Sequence, residues 1–166
     1  MGLLFYPRGG SAHVARNLAA ALPAAGWDVT VVCGSLPGRH GDARAFYKGI
    51  DVRPVDMTAA LEAPDPLAVD PPFHPSYEDR PGAPDRVFAA LDDDQAERQV
   101  RTWESALRDA GPADVLHLHH LTPLNEAAAR VAPEVPVVGH LHGTELLMLE
   151  AIAHQPGRWK HGRAWA

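Results

Sequence analysis

The sequence predicts a doubly wound α/β domain with a mainly parallel sheet, and three observations lead to that prediction. Short continuous apolar segments, typical of strands buried on both faces, alternate with amphipathic segments of helical period. The first of these segments form a strand–helix–strand unit, which a right-handed crossover satisfies in a parallel sheet. The chain has 166 residues, enough for one domain whose core buries about two thirds of the unfolded surface.

The first half of the chain contains this β-α-β unit and a weaker third strand. Residues 3–6 form an apolar strand that ends in a turn at 7–10, and Ser11 is the candidate N-cap of the following helix. Gly26 is the predicted helix stop. The apolar stripe of this helix is predicted to consist of Val14, Leu18, Ala21 and Leu22. The elements that follow are a strand at 28–33, a loop at 34–47 and a strand at 50–55.

Residues 56–84 differ from the rest of the chain in their proline content. Seven prolines exclude a continuous helix or a central strand there: Pro64, Pro66, Pro71, Pro72, Pro75, Pro81 and Pro84. A loop of this length inside a domain is usually functional or mobile. We interpret it as a flap over the edge of the sheet, with Phe73, His74 and Tyr77 as its contacts. A surface excursion without fixed packing is the alternative.

Strands and helices alternate again from Arg86 onwards. The first segment is predicted to form one long helix or two shorter helices, which end at Gly111. The acidic run at 92–94 is interpreted as a solvated face of a helix or as a break between two helices. The elements that follow are a strand at 115–119, a helix at 124–131, a strand at 135–141 and a helix at 145–153.

The composition excludes several classes of protein. The formal net charge of −6, without a concentrated basic face, argues against nucleic-acid binding. No apolar run approaches the roughly twenty residues that a membrane span requires. The single cysteine, Cys33, cannot form an internal disulfide, which favours a reducing, cytoplasmic compartment.

Two groups of residues follow predicted strands, at the edge where an open parallel sheet binds its ligands. Gly9 and Gly10 precede the first helix, whose free N–H groups and dipole favour a phosphate or another anion. A plain tight turn would have the same sequence. The second group consists of five histidines at the ends of the fourth and fifth strands: His117, His119, His120, His140 and His142.

The histidines alternate along their strands, so His117 shares a face with His119, and His140 with His142. Two such pairs can hold zinc, but the chain lacks the H-x-H-x-D-H and H-E-x-x-H motifs of metal-dependent hydrolases. We therefore expect no metal. His117 and His140, deeper in their strands, are expected to be packed, whereas His119, His120 and His142 lie nearer the edge. His142 is the leading catalytic candidate because the next residue is a glycine, which frees the local backbone.

Thr144 and Glu145 begin the last predicted helix, and two roles stay open for each of them. Thr144 either caps the helix or contacts a ligand. Glu145 is favoured in a first turn by the helix dipole alone, and it could also accept hydrogen bonds from sugar hydroxyls.

In their order and spacing, the segments 7–11, 28–33, 114–119 and 140–145 resemble the N-terminal Rossmann-like half of family 4 retaining glycosyltransferases, which have the GT-B fold. The resemblance spans most of the chain except the proline-rich loop. It implies that the glycine turn approaches the donor's diphosphate or the acceptor, and that a histidine after the fifth strand contacts the transferred sugar. It assigns these roles to Gly9, Gly10 and His142, and substrate or donor binding also to Ser11, His13, His119, His120, Thr144 and Glu145.

The resemblance further implies transfer of a glycosyl unit from a nucleoside-diphosphate sugar to a hydroxyl acceptor with retention, without a metal or another cofactor. Complete GT-B enzymes have a second Rossmann-like domain that holds most of the nucleotide sugar. We therefore expect residues 1–166 to be a single N-terminal domain, truncated or split from a C-terminal partner and inactive alone. The alternatives are a non-catalytic α/β binding or regulatory module and a histidine-liganded metal-dependent hydrolase.

Overall fold

A computed structural model of the chain describes residues 1–77 and 87–165. At its centre lies one sheet whose five strands are β1 (Gly2–Leu3), β2 (Thr30–Ser35), β3 (Asp51–Asp56), β4 (Leu116–His119) and β5 (Val137–His140). The strands are parallel and lie in the order β3-β2-β1-β4-β5. This order confirms the predicted doubly wound, Rossmann-like α/β fold, because the chain reverses its direction of travel across the sheet after β3.

Helices connect the strands and cover the sheet. They are α1 (Gly9–Ala21), α2 (Ala43–Phe46), α3 (Thr58–Glu62), α4 (Asp93–Ala110), α5 (Pro123–Val131), α6 (Thr144–His154) and α7 (Lys160–Trp165), with 3₁₀ turns at Leu22–Ala25 and Phe88–Ala90. Helices α4 and α5 pack against each other, and the right-handed rule for crossovers between parallel strands puts them on the face of the sheet opposite α1. Among the described residues, no helix has the length and apolar character needed to cross a membrane.

The first strand is shorter than the predicted span of 3–6. Only Gly2 and Leu3 pair with β2 and β4, although Leu4 and Phe5 are also buried. The backbone from Leu4 to Tyr6 still runs beside β2, because a Cβ atom at Gly34 would lie 2.8 Å from the Tyr6 nitrogen. The glycine in β2 therefore allows a close approach after the strand pairing has ended.

Helix α1 differs from the prediction at its start and on its buried face. Its N-cap is Arg8, so Ser11 lies inside the first turn and is not the cap. The residues that pack against the sheet are Ala12, Ala15 and Ala19. The predicted stripe of Val14, Leu18, Ala21 and Leu22 is half-buried or exposed. Small side chains allow the helix axis to approach the sheet closely, so the buried face is the one with alanine rather than the one with the larger residues.

Residues 56–77 of the proline-rich segment include several buried side chains. Leu67, Phe73 and His74 are buried, and α3 provides one helical turn that the sequence did not predict. The His74 ring lies 5.0 Å from the ring of Phe5, which follows β1. The described part of the flap therefore contacts a residue that follows β1, and residues 78–84 of the predicted flap lie outside the described residues.

Two helix starts use aspartate caps that the sequence analysis did not identify. Asp42 accepts hydrogen bonds from the second and third residues after it, which starts α2 inside the predicted loop at 34–47. Asp92 forms a reciprocal capping box with Gln95 at the start of α4. The acidic run at 92–94 is therefore a helix start: Asp92 caps the helix, and Asp93 and Asp94 lie in its first turn, where the helix dipole favours negative charge.

Candidate functional site

The carboxyl ends of β1, β4 and β5 are neighbours in the sheet, and the residues that follow them form one edge, which we call the rim. Leu3 pairs with His119, and His119 pairs in turn with His140. Because the strands are parallel, the turns after all three leave the sheet on the same side. The diglycine turn and the late histidines therefore share one edge, which is the condition that the functional prediction requires.

Four histidines form a ladder of stacked rings on the face of β4 and β5. The ring centroids of His117, His119, His140 and His142 lie 4.6 to 5.5 Å apart, at interplanar angles of 10° to 19°. His117 Nε2 is hydrogen-bonded to His140 Nδ1 at 3.3 Å, and His119 Nδ1 to His142 Nε2 at 2.9 Å. The alternation of H-x-H along two paired strands produces this imidazole ladder, as the sequence predicts.

Three rings of the ladder are held in their neutral form. Burial, followed by repulsion from neighbouring imidazoles, lowers the pKa of His119 to about 3. The same two causes lower the pKa of His142 to about 4 and that of His117 below its ordinary value. At neutral pH these three rings therefore offer hydrogen-bond donors and acceptors, but no positive charge.

A buried histidine–carboxylate pair lies beside the ladder. His120 leaves β4 at φ 71°, a left-handed conformation that is unusual for a residue other than glycine. Its Nδ1 is hydrogen-bonded to the carboxylate of Glu145, which is completely buried at the start of α6. Glu145 also accepts from the His142 backbone N–H at 2.8 Å and from the Thr144 hydroxyl at 3.3 Å. One carboxylate thus holds both His120 and the backbone of His142 in place.

The pKa of Glu145 results from opposing effects. Burial raises it, but the hydrogen bond from His120 and the backbone N–H groups of His142 and Glu145 outweigh that effect and lower the pKa to about 2. The carboxylate is therefore ionised throughout the physiological pH range. A buried charge of this kind is tolerated because hydrogen bonds satisfy it from several sides.

The turn after β1 completes the rim. The Phe5 ring lies 5.2 Å from the ring of His120, and the Arg8 guanidinium lies 5.4 Å from the Phe5 ring centroid. Gly9 has a φ of +64°, and a Cβ atom added to either Gly9 or Gly10 would have no neighbour within 4 Å. The start of α1 therefore borders open space, with an arginine beside it.

The sequence model of the family described as Glycosyltransferase Family 4 matches residues 8–166 of the chain. The chain belongs to that family. Searches among curated proteins and among solved structures gave no significant match. The five-stranded parallel sheet and its flanking helices agree with membership of this family.

In this glycosyltransferase domain most of the predicted site residues come together. The ones that lie at the rim or in the ladder beside it are Gly9, Gly10, His119, His120, His142, Thr144 and Glu145. Thr144 does not cap α6, because the N-cap is Gly143, and its hydroxyl is directed to the carboxylate of Glu145 instead. His117 and His140 are half-buried and hydrogen-bonded to each other, as expected of packed residues.

His13 lies apart from this group. Its ring contacts Phe46 of α2 at 5.2 Å, and its Nδ1 is 3.2 Å from an Arg16 nitrogen. The geometry therefore directs His13 toward α2 and the β2 side of the sheet. Position 13 is the second turn of α1, and its orientation depends on which helix face is buried, which the sequence analysis assigned incorrectly.

Phe5 and Arg8 of the rim were not among the predicted site residues, and Tyr77 was predicted only as a contact of the flap. The rings of Phe5 and Tyr77 lie beside His120, and the Arg8 guanidinium lies over the Phe5 ring. The Tyr77 hydroxyl donates to the Leu121 carbonyl at 2.6 Å. Arg8 could have been identified, because it lies within the glycine turn. The contact of Tyr77 depends on the path of the flap, for which the sequence gives no periodic signal.

Two cavities lie away from the rim. One of about 930 Å³ between β3 and α4 is lined by four arginines and four carboxylates: Arg44, Arg53, Arg98, Arg101, Asp70, Asp94, Glu97 and Asp109. The other, of about 820 Å³, is mainly apolar and lies at the amino ends of β1, β2 and β4, where it reaches His117. Neither cavity is lined by His120, His142 or Glu145, and ligands of open parallel sheets bind at the carboxyl ends. The rim is therefore the candidate site.

Proposed function

We propose that this family 4 domain is the acceptor-side half of a GT-B glycosyltransferase that transfers a sugar from a nucleoside-diphosphate sugar to a hydroxyl acceptor with retention. The observation that carries the proposal is the convergence of the diglycine turn, His142 and the His120–Glu145 pair on one rim. This arrangement offers hydrogen bonds for hydroxyl groups next to open space at a helix N-terminus.

His142 contacts the sugar in this proposal. Its Nε2 is occupied by His119, whereas its Nδ1 has no hydrogen-bond partner among the residues that the structure describes. Because the ring is neutral, Nδ1 can exchange a hydrogen bond with a sugar hydroxyl without introducing a charge. His119 fixes the orientation of the ring, as a partner on the second nitrogen generally does for a functional histidine.

Glu145 acts as a positioning residue. Its carboxylate is completely buried and accepts from His120, Thr144 and the backbone of His142, so it does not itself reach a substrate. Thr144 is assigned to the same network. The effect of Glu145 on catalysis is then indirect, because it sets where the backbone before α6 places the imidazole of His142.

The diglycine turn receives the donor's diphosphate. The N-terminus of α1 carries about half a positive charge, and residues without side chains let an anion approach its N–H groups. Arg8 brings a full positive charge to the same turn. Helix dipole and arginine both contribute to stabilising a leaving diphosphate in this proposal, which assigns no metal to the transfer reaction.

A C-terminal domain, in the same chain or as a partner chain, supplies the rest of the donor site. Four large apolar side chains of β5 and α6 are more than half exposed, namely Val137, Val138, Leu146 and Leu147. An apolar surface of this extent is typical of an interface that another domain covers. Since transition-state stabilisation needs groups from both sides of the cleft, we expect negligible transfer by residues 1–166 alone.

The decisive experiment restores the other half. The chain is expressed together with the coding sequence downstream of it, and transfer is followed with a panel of nucleoside-diphosphate sugars, with NMR of the product to determine its anomeric configuration. His142→Ala should lower kcat/KM by about 100-fold or more, a loss typical of removing a group that contacts the reacting sugar.

His154→Ala is the matched control, because His154 is exposed and its Nδ1 contacts only the Glu150 carbonyl of its own helix. The control should retain full activity. An active assembly that tolerates His142→Ala would contradict the assigned role, and an assembly that binds a nucleotide sugar without transferring it would favour the non-catalytic module.

A further inference from the structure

The imidazole ladder contains a group of nitrogens that the transfer reaction does not use. One ligand nitrogen from each of His117, His119 and His140 lies within 4.8 Å of the other two. His117 Nε2 and His140 Nδ1 are only 3.3 Å apart. In a tetrahedral zinc site with Zn–N bonds of about 2.0–2.1 Å, two ligand nitrogens are about 3.4 Å apart. One of the three spacings therefore already has the required length.

We infer that His117, His119 and His140 bind one Zn²⁺ ion between β4 and β5, next to the ring of His142. The third nitrogen has to move by no more than about 1.5 Å to complete tetrahedral spacing, which a side-chain rotation provides. His117 and His140 are half-buried, so a water molecule can take the fourth position. This zinc site does not depend on the proposed transfer function. It differs from the expectation drawn from the sequence, which predicted no metal because the motifs of metal-dependent hydrolases are missing.

His119 provides a second, independent observation. Its side chain is completely buried, and its Nε2 has no hydrogen-bond partner among the described residues. An unsatisfied buried nitrogen is unfavourable, and coordination to a cation satisfies it. The other nitrogen, Nδ1, is hydrogen-bonded to His142 Nε2 at 2.9 Å. A metal-bound histidine usually has such a partner on its second nitrogen, which fixes the ring's orientation.

The donor set determines which metal fits. All three ligands are imidazoles, and the nearest carboxylate of the rim, that of Glu145, is occupied by His120 and by the backbone of His142. Imidazole nitrogen suits zinc and its neighbours in the transition series, whereas Mg²⁺ and Ca²⁺ require oxygen ligands. Zinc is the member of this group that we propose, and Mg²⁺ serves as the negative control.

The consequence of binding is structural. His117 and His119 belong to β4 and His140 belongs to β5, the edge strand of the described sheet. A zinc ion would therefore tie the edge strand to its neighbour and fix the register between them. Through His119 it would also restrain the ring of His142.

The test is titration of the metal-stripped 166-residue chain with ZnCl₂ in a calorimeter. We expect one ion per chain with a Kd of about 1 μM or tighter, and no heat of binding with MgCl₂. His117→Ala and His140→Ala should each weaken binding by at least about 100-fold, because each removes a ligand. His40→Ala, which changes an exposed histidine outside the ladder, should leave the Kd unchanged.

Melting of the same samples gives a second readout. At a zinc concentration of about 100 times the Kd, the melting temperature of the wild-type chain should rise by about 5 to 10 °C. The ladder variants should show no such rise. No binding below about 0.1 mM zinc, or binding that both ladder variants retain, would overturn the site.

If an alanine variant does not fold, His117→Asn and His140→Asn replace it, and X-ray absorption of the zinc-loaded wild-type chain decides the question. Three imidazole scatterers with nitrogen at about 2.0 Å support the site. A first shell that contains sulfur or fewer than three imidazoles contradicts it. None of these measurements requires transferase activity, so the zinc site and the proposed transfer function can each fail without affecting the other.

Discussion

Neighbouring glycines of the rim should respond oppositely to the same substitution. Gly10 lies in the first turn of α1 without a positive φ, and an added Cβ atom would meet nothing within 4 Å. Gly10→Ala should therefore raise the free energy of unfolding by about 0.5 to 1 kcal/mol, because alanine favours helix and restricts the unfolded chain. Gly9 has a φ of +64°, which strains any other residue, so Gly9→Ala should lower the free energy of unfolding by about 1 to 2 kcal/mol.

Urea unfolding of the purified variants measures both changes in stability, and the transfer assay of the proposed two-domain assembly measures the functional effect. If a diphosphate rests on the main chain at the diglycine turn, Gly10→Ala should lower kcat/KM for the donor by at least about 10-fold, although the variant is more stable. A stabilised variant with unchanged activity would show that the glycines form a plain turn, and the phosphate role would be withdrawn. A destabilised Gly10→Ala would contradict the open space described here.

Three further predictions concern stability. Because the pKa of His119 is about 3 in the folded chain and about 6.5 when unfolded, the unfolded state binds an extra proton below pH 6.5; stability is therefore complete above that pH and falls toward pH 3. His119 alone should contribute about 2 kcal/mol to the loss between pH 7.5 and pH 5, so urea unfolding of His119→Gln should show a loss smaller by that amount than the wild-type chain. Asp92→Ala should cost about 1 kcal/mol in the same assay by removing the α4 cap, and Asp94→Ala should cost less. Glu145→Gln should lower the free energy of unfolding by about 2 kcal/mol, because it weakens a buried hydrogen-bond network. The control Glu150→Gln, at an exposed position, should change it by less than about 0.5 kcal/mol. Equal effects of the two substitutions would contradict the network.

The order of strands and helices was predictable from the alternation of short apolar segments with amphipathic ones. β3 and β4 lie within one residue of their predicted spans, although β4 is largely buried and only Val52 of β3 is. The shared rim followed from chain order alone, because a strand–helix alternation permits few arrangements once crossovers are right-handed. The imidazole ladder followed from the two-residue period of a strand and from the adjacency of β4 and β5.

The misassigned features depend on packing that periodicity does not encode. Ala12, Ala15 and Ala19 have a lower hydrophobicity than Val14 and Leu18, yet they are buried because only a face of small side chains fits closely against this sheet. The early end of β1 reflects a bend of the backbone that pairing with β2 permits but does not require. In both cases the competing conformations differ in tertiary contacts rather than in local propensity.

The pairing of His120 with Glu145 is a feature of the site that sequence periodicity does not encode either. These residues are 25 positions apart, and the contact exists because His120 takes a left-handed conformation at the end of β4. Nothing in the sequence around position 120 requires that conformation, since the chain could have continued as a strand. Strain of this kind persists where the surrounding structure fixes it, which here is a buried carboxylate at the start of α6.

In the proposed enzyme, the charges of the rim indicate which groups this half contributes to the reaction. The ladder rings of His117, His119 and His142 are neutral at physiological pH, and the carboxylate of Glu145 is negative and buried. The positive potential that a leaving diphosphate requires therefore comes, on this side, from the N-terminus of α1 and from Arg8 at its start. A helix terminus and one arginine do not neutralise a diphosphate, which carries more than one negative charge. In the proposed reaction, the domain described here therefore mainly orients hydroxyl groups, and we expect most of the cationic stabilisation to come from the other half of the cleft.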